Sequence, residues 1–200
     1  MRVTASAGMC GTDQGVYKMT DKFFSKHIGK VAVGSGLIGA SIYFLMINVT
    51  LAHIEAASGH VPFDMRPFGY SSTEAARLLE ALGVEGRAYY LSYQIALDTL
   101  YPAMLALTLI ATNCWFGRCM PNRKLVHFVI ALSVGSALFD YLENLGIAAM
   151  IWNWPEVPVP LVYATSTATI LKSVLTTVAV LLTLLVGFNW TRLSEADVRP

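Results

Sequence analysis

Long apolar runs dominate the chain and fall into four blocks. The first, Val31 to Ala52, holds no charged residue. The second, Ala88 to Gly117, holds Asp98, and the third, Leu125 to about Ile151, holds Asp140 and Glu143. The fourth, Leu161 to Phe188, holds Lys172. A helix needs about 20 apolar residues to cross a bilayer, and each block reaches that length. The runs are continuous, which predicts helices that satisfy their own backbone in lipid rather than strands of a barrel. The expected fold is therefore all-α: a polytopic four-transmembrane-helix bundle over residues 31–188. A basic tail, residues 1–30, is expected to be disordered, and a second short tail covers residues 189–200.

The stretch between the first two blocks, His53 to Arg87, breaks this pattern. Pro62, Pro67 and Gly69 predict an irregular turn region. Ser71-x-x-Glu74 then has the form of a capping box. Ala75, Leu78, Leu79 and Leu82 follow at helical spacing, and Gly83 is a natural stop. One short amphipathic helix is expected here, lying on the bilayer surface or closing an opening between the spans.

Composition agrees with the membrane reading. Of 200 residues, 55% are hydrophobic and 14% charged, with mean hydropathy +0.54. Soluble domains carry about 25% charged residues. The net charge of +1 gives no field for nucleic acid. Cys10, Cys114 and Cys119 are too few and too scattered for a disulfide framework. The first apolar block sits too deep in the chain for a secretory signal.

Lysine and arginine positions give a topology. The two tails and the loop after the second block hold ten of them, against Arg66, Arg77 and Arg87 on the other side. That bias predicts both termini on the cytoplasmic face of a plasma or inner membrane. Trp115 and Trp190 then belong to one interface, and Trp152 and Trp154 to the other.

Charged groups inside spans are costly, at about 2.5 to 3.5 kcal/mol each on insertion scales. Counting 1.5 Å of rise per residue from the outer face puts Asp98 roughly 10 Å down, Glu143 roughly 13 Å, Lys172 roughly 16 Å and Asp140 roughly 18 Å. Three helices thus contribute to one layer. Asp140, Glu143 and Asn144 share a helix face at i, i+3 and i+4. Asn144 is expected to donate to a charged carboxylate. Pro102 lacks an amide hydrogen, and its ring presses on the carbonyl of Asp98, so the helix should open there. Tyr101 shares the Asp98 face. Three acids and one lysine leave excess negative charge, which calls for neutral carboxyls, an entering Arg87 or Arg66, or a bound cation. Asp98, Asp140, Glu143 and Lys172 are the candidate catalytic groups, with Tyr101, Asn144 and Arg87 as candidate substrate-binding groups.

Other constellations are weaker. His53, Glu55, His60 and Asp64 match no established metal spacing and read as interface histidines with solvated acids. Gly36-x-x-x-Ala40 reads as a packing face. No phosphate loop, nucleophile elbow or HExxH motif is present, so neither cofactor nor metal is expected.

The segments GYS, ALGVEGRAYY and LDTLYP, followed by FDYLEN, resemble small four-span membrane proteins found widely in bacteria. The likeness spans roughly Asp64 to Lys172 and rests on the LDxxYP and FDxxEN motifs. It implies the four-span fold and supplies no reaction, since that family has no established activity. A looser likeness to the four-span sterol isomerase and sigma-2 receptor group is analogy only, because the order and spacing of acids differ. The expected function is proton transfer on, or binding of, an amphiphilic lipid or isoprenoid-like ligand. The alternative is a scaffold or complex subunit in which the polar layer only holds helices together. The bilayer is the expected partner, with no nucleic acid, and an oligomer is compatible with the sequence.

Overall fold

The computed structural model describes residues 17–117 and 123–196, with side chains from 27 to 190. The expected disorder of the first sixteen residues, Cys10 and Cys119 lie outside the described residues. Helix α1 (Tyr17–Leu45) runs through a π-helical segment, Met46–Thr50, into α2 (Leu51–Ser58). A 3-10 turn, Phe63–Met65, precedes α3 (Ser72–Tyr89). A second π segment, Tyr90–Gln94, joins α3 to α4 (Ile95–Phe116). Then come α5 (Arg123–Trp152) and α6 (Val159–Ala196). No strand occurs among the described residues. Four helical stretches, 27–58, 72–116, 123–152 and 159–190, are long and apolar enough to cross a membrane, the pattern of a multi-pass membrane protein.

Several boundaries move from their expected places. Helix α1 begins at Tyr17 rather than near Val31, because no proline interrupts the chain upstream of the apolar block. The first span also continues to Ser58, where Gly59 takes a left-handed conformation (φ 68°) and caps it. His53 and Glu55 therefore lie on a helix, not in the loop. The capping box at Ser71 and Glu74 forms. Gly83 (φ 61°) breaks α3 between its first part and the start of the second span.

The bundle is apolar outside as well as inside. Leu37, Phe44, Leu145 and Leu184 are 66%, 69%, 66% and 64% exposed. Helix α1 packs on α4, α4 on α5 and α6, and α5 on α6. The α1–α4 approach uses Ala32, Ser35, Gly36 and Gly39. A Cβ on Gly36 would lie 3.3 Å from Thr108 Cγ2, and Thr108 Oγ1 donates to Ser35 Oγ (2.9 Å). Ala40 faces outward, so the packing face is turned from the expected Gly36–Ala40 pair.

Two apolar cores lie at opposite ends. At the loop end, Leu51, Ile54, Phe63, Ala75, Leu78, Leu79, Leu82 and Tyr90 pack with Ile147, Met150, Ile151 and Val162. The apolar stripe of α3 therefore faces protein. At the end nearer the termini, Leu109, Val129 and Ala179 form a smaller core. A buried polar layer separates them, containing Asp98, Asp140, Glu143, Asn144 and Thr169.

Candidate functional site

The polar layer is built around Lys172 on α6. Its ammonium donates to Asp140 Oδ1 (2.9 Å) and also pairs with Glu143 Oε2. Spacing by three residues sets both acids on the α5 face that meets α6. Thr169, one turn before Lys172, donates to Glu143 Oε1 (2.7 Å). Glu143 and Thr169 have no exposed surface at all. The expected meeting of Asp140, Glu143 and Lys172 therefore occurs.

Asn144 does not serve a carboxylate. Its Nδ2 donates to the main-chain carbonyl of Asp98 (2.9 Å). That is the carbonyl left without its helical donor by Pro102. The asparagine thus ties α5 to the weakened turn of α4, and this corrects the role expected from sequence.

The second correction concerns Arg87. Its Nη1 donates to the Leu79 carbonyl (2.6 Å), and its guanidinium stacks 5.5 Å from the Trp154 ring centroid. It braces α3 across the Gly83 break and does not enter the polar layer. Arg66 donates through Nε (3.0 Å) and Nη2 (2.7 Å) to the Val61 carbonyl and lies 3.8 Å from Glu74. Neither arginine neutralises the buried acids.

Sequence reasoning missed Asp64. The loop bends back so that its carboxyl joins Asp98 in the wall of one cavity. Tyr90 makes this possible. Its fully buried phenol donates to Asp64 Oδ2 and accepts the Phe63 amide hydrogen (3.1 Å). The π segment that starts at Tyr90 faces the one in the first span, and Thr50 donates to Gln94 between them. Such segments re-aim side chains relative to a regular helix. Asp64 Oδ1 and Asp98 Oδ2 are both buried and accept no hydrogen bond.

The loop is pinned at its far end too. Gly69 (φ 81°) packs against Ser166, whose hydroxyl accepts the Tyr70 amide hydrogen (2.8 Å). The Tyr70 hydroxyl reaches the neighbourhood of Thr169 and Glu143. Burial, with the Glu143 carboxylate nearby, pushes the Tyr70 phenol well above its ordinary pKa, so it stays a neutral O–H group.

A cavity of about 430 Å³ adjoins the acids. Asp64, Asp98, Asp140, Tyr101 and Lys172 form part of its wall, and Met46, Ile47, Leu51 and Leu105 form another. Its rim includes Tyr43 of α1 and Ser173, Thr176 and Thr177 of α6. Among the described residues these two helices make few direct contacts with each other, and the cavity reaches the gap between them. The Tyr101 and Tyr43 rings lie 5.5 Å apart, tilted by 31°, beside this gap. Such a volume suits a ligand of modest size.

His53, Glu55, His60 and Asp64 do not converge. The His53 ring lies against Tyr89 at a tilt of 43° (4.3 Å between centroids), while Glu55 and His60 are exposed. Among the described residues no group of three or more histidine, cysteine, aspartate or glutamate side chains is placed to hold a metal. Comparison of the chain with protein-family profiles, with curated proteins and with solved structures finds no match.

Proposed function

We propose that the protein takes an amphiphilic, lipid-like molecule from the bilayer into this cavity and transfers a proton to or from it. The observation that carries this reading is the Asp64–Asp98 pair at the cavity wall. Two carboxylates on one cavity wall repel, so this reading gives the pair a single proton. One then acts as acid and the other as base. The acid gives its proton to the bound molecule, and the partner carboxylate removes one. The pair returns to its one-proton state with no change of oxidation state. Isomerisation and cyclisation fit such a cycle, and hydrolysis fits with a water as co-reactant. Lys172 holds Asp140 and Glu143 in place beside the pair.

In this reading the loop end faces outward and both termini are cytoplasmic, in a plasma or inner membrane, from the lysine and arginine bias. The short first part of α3 lies at the outer interface and covers the bundle. The LDxxYP and FDxxEN motifs, which resemble small four-span bacterial proteins, supply Asp98, Tyr101, Asp140, Glu143 and Asn144.

A scaffold reading has one observation in its favour. Lys172, Asp140, Glu143 and Asn144 do join α4, α5 and α6. It leaves unexplained why Asp64 and Asp98 face a cavity with no donor between them. The deciding experiment compares membrane lipids, by mass spectrometry, from cells expressing the native chain, Asp98→Asn or Asp64→Asn at matched protein levels. An enzyme shifts at least one lipid species in the native cells only. Identical lipid profiles in all three overturn the enzymatic reading.

A further inference from the structure

The charge in the polar layer does not balance, and this deepens the proposed reading by naming the ligand's chemistry. Four carboxyls, those of Asp64, Asp98, Asp140 and Glu143, surround a single ammonium among the described residues, Lys172. One ammonium balances one carboxylate, so the layer holds more acids than cations. Uncompensated charge in a low-dielectric interior costs several kcal/mol per ion. Lys172 is engaged by Asp140 and Glu143, and Arg66 and Arg87 are bound to main-chain carbonyls elsewhere.

The missing charge has a defined place. Asp98 is only 2% exposed, and its Oδ2 accepts no hydrogen bond although it borders the cavity. Asp64 Oδ1 is in the same state. Two orphaned acceptors on residues of one cavity wall call for a charged donor with more than one N–H. A primary ammonium supplies three such hydrogens and one positive charge. The apolar lining, with Met46, Ile47 and Leu105, suits a hydrocarbon chain.

We propose that the amphiphile bound here is a cationic amine, with its N–H groups on Asp64 and Asp98 and its apolar chain along α1 and α4 toward the gap between α1 and α6. A hydroxyl headgroup gives one hydrogen and no charge, and a quaternary ammonium gives charge without hydrogen. Affinity should therefore rank primary amine over quaternary ammonium over alcohol at equal chain length. Charge-assisted hydrogen bonds of this kind correspond to a preference of about tenfold or more.

The test uses the full chain in phosphatidylcholine nanodiscs. Dodecylamine, dodecyltrimethylammonium and dodecanol are titrated separately by calorimetry, with sodium chloride and calcium chloride as inorganic controls. The expected result is dodecylamine bound at least about tenfold more tightly than dodecanol, with the preference abolished in Asp98→Asn. Ile47→Trp, which fills the apolar wall, should weaken all three organic probes and serves where Asp98→Asn does not fold. Equal affinity for amine and alcohol overturns the proposal. So does an amine preference undiminished in Asp98→Asn together with affinities unchanged in Ile47→Trp, which marks simple partition into the bilayer, or an equal effect of an inorganic salt. Tight, Asp98-dependent binding of dodecanol without amine preference removes the cation and leaves the proton-transfer reading standing. An amine preference in a protein whose expression changes no lipid does the reverse.

Discussion

The side-chain amide of Asn144 donates to the main-chain carbonyl of Asp98, 2.9 Å away on the neighbouring helix. Pro102, four residues beyond Asp98, has no amide hydrogen to offer that carbonyl. The two features therefore form one unit: a helix opened by proline and closed again by asparagine. Asn144→Leu leaves a buried carbonyl unsatisfied and should cost about 1–3 kcal/mol. Pro102→Ala restores the helical donor. A double-mutant cycle on unfolding free energy should show Asn144→Leu costing clearly less in the Pro102→Ala background. Strict additivity would mean the two residues are not coupled.

Lys172 should be the most sensitive position for stability. Its ammonium pairs with two buried acids at once. Removing one partner from a buried ion cluster leaves uncompensated charge and typically costs about 3–5 kcal/mol. Lys172→Met should therefore lower the thermal midpoint strongly. Adding Asp140→Asn and Glu143→Gln to Lys172→Met should recover most of the loss, because the two acids that Lys172 held then carry no charge. A triple variant as unstable as Lys172→Met alone would argue for packing, rather than charge, as the role of this residue.

The spans and the buried layer were legible for a simple reason. Continuous apolar runs mark helices, and a fixed rise per residue converts sequence position to depth. That is enough to bring Asp140, Glu143 and Lys172 together. It is not enough for Asp64, whose position depends on how the segment after Gly59 folds back. The signals were Pro62 and Pro67, which stiffen that segment, and the paired tyrosines Tyr89 and Tyr90. The π segments carried no compositional mark, yet they set which way Tyr90 points. Arg87 was misplaced because depth counting fixes where a Cα lies, not which carbonyl its long side chain meets. The Asn144 role could have been found: Pro102 freed a carbonyl, and an amide stood at the same depth on the next span.

Tyr90 should act as a positioning residue. Its phenol joins Asp64 and the Phe63 amide, so Tyr90→Phe removes both links while keeping the ring. Hydrogen exchange over residues 60–71 should then quicken, with α5 and α6 unchanged. Ligand affinity should fall toward that of Asp64→Asn, since Asp64 loses the group that aims it. Unchanged exchange in this segment would show that the loop is held without the phenol.

Gly69 closes the other end of the same loop. Its φ of 81° lies where side chains are strained, and an added Cβ would meet Ser166 Oγ and Ile170. Gly69→Ala should therefore push Tyr70 away from Ser166, breaking the hydrogen bond between them. Phe63 and Tyr70 of this loop belong to the apolar core, but the spans also pack directly on one another, so the thermal midpoint should fall less than in Lys172→Met. The site, by contrast, would open toward the loop end and lose its Tyr70 cover. Ser166→Ala gives a comparison that removes the hydrogen bond while leaving the backbone unstrained. If the loop shields the acids, limited proteolysis between Gly59 and Ser71 should accelerate strongly in Gly69→Ala and mildly in Ser166→Ala. Binding at the cavity should weaken in the same order. Proteolysis rates equal to those of the native chain in both variants would mean that loop closure does not depend on this contact.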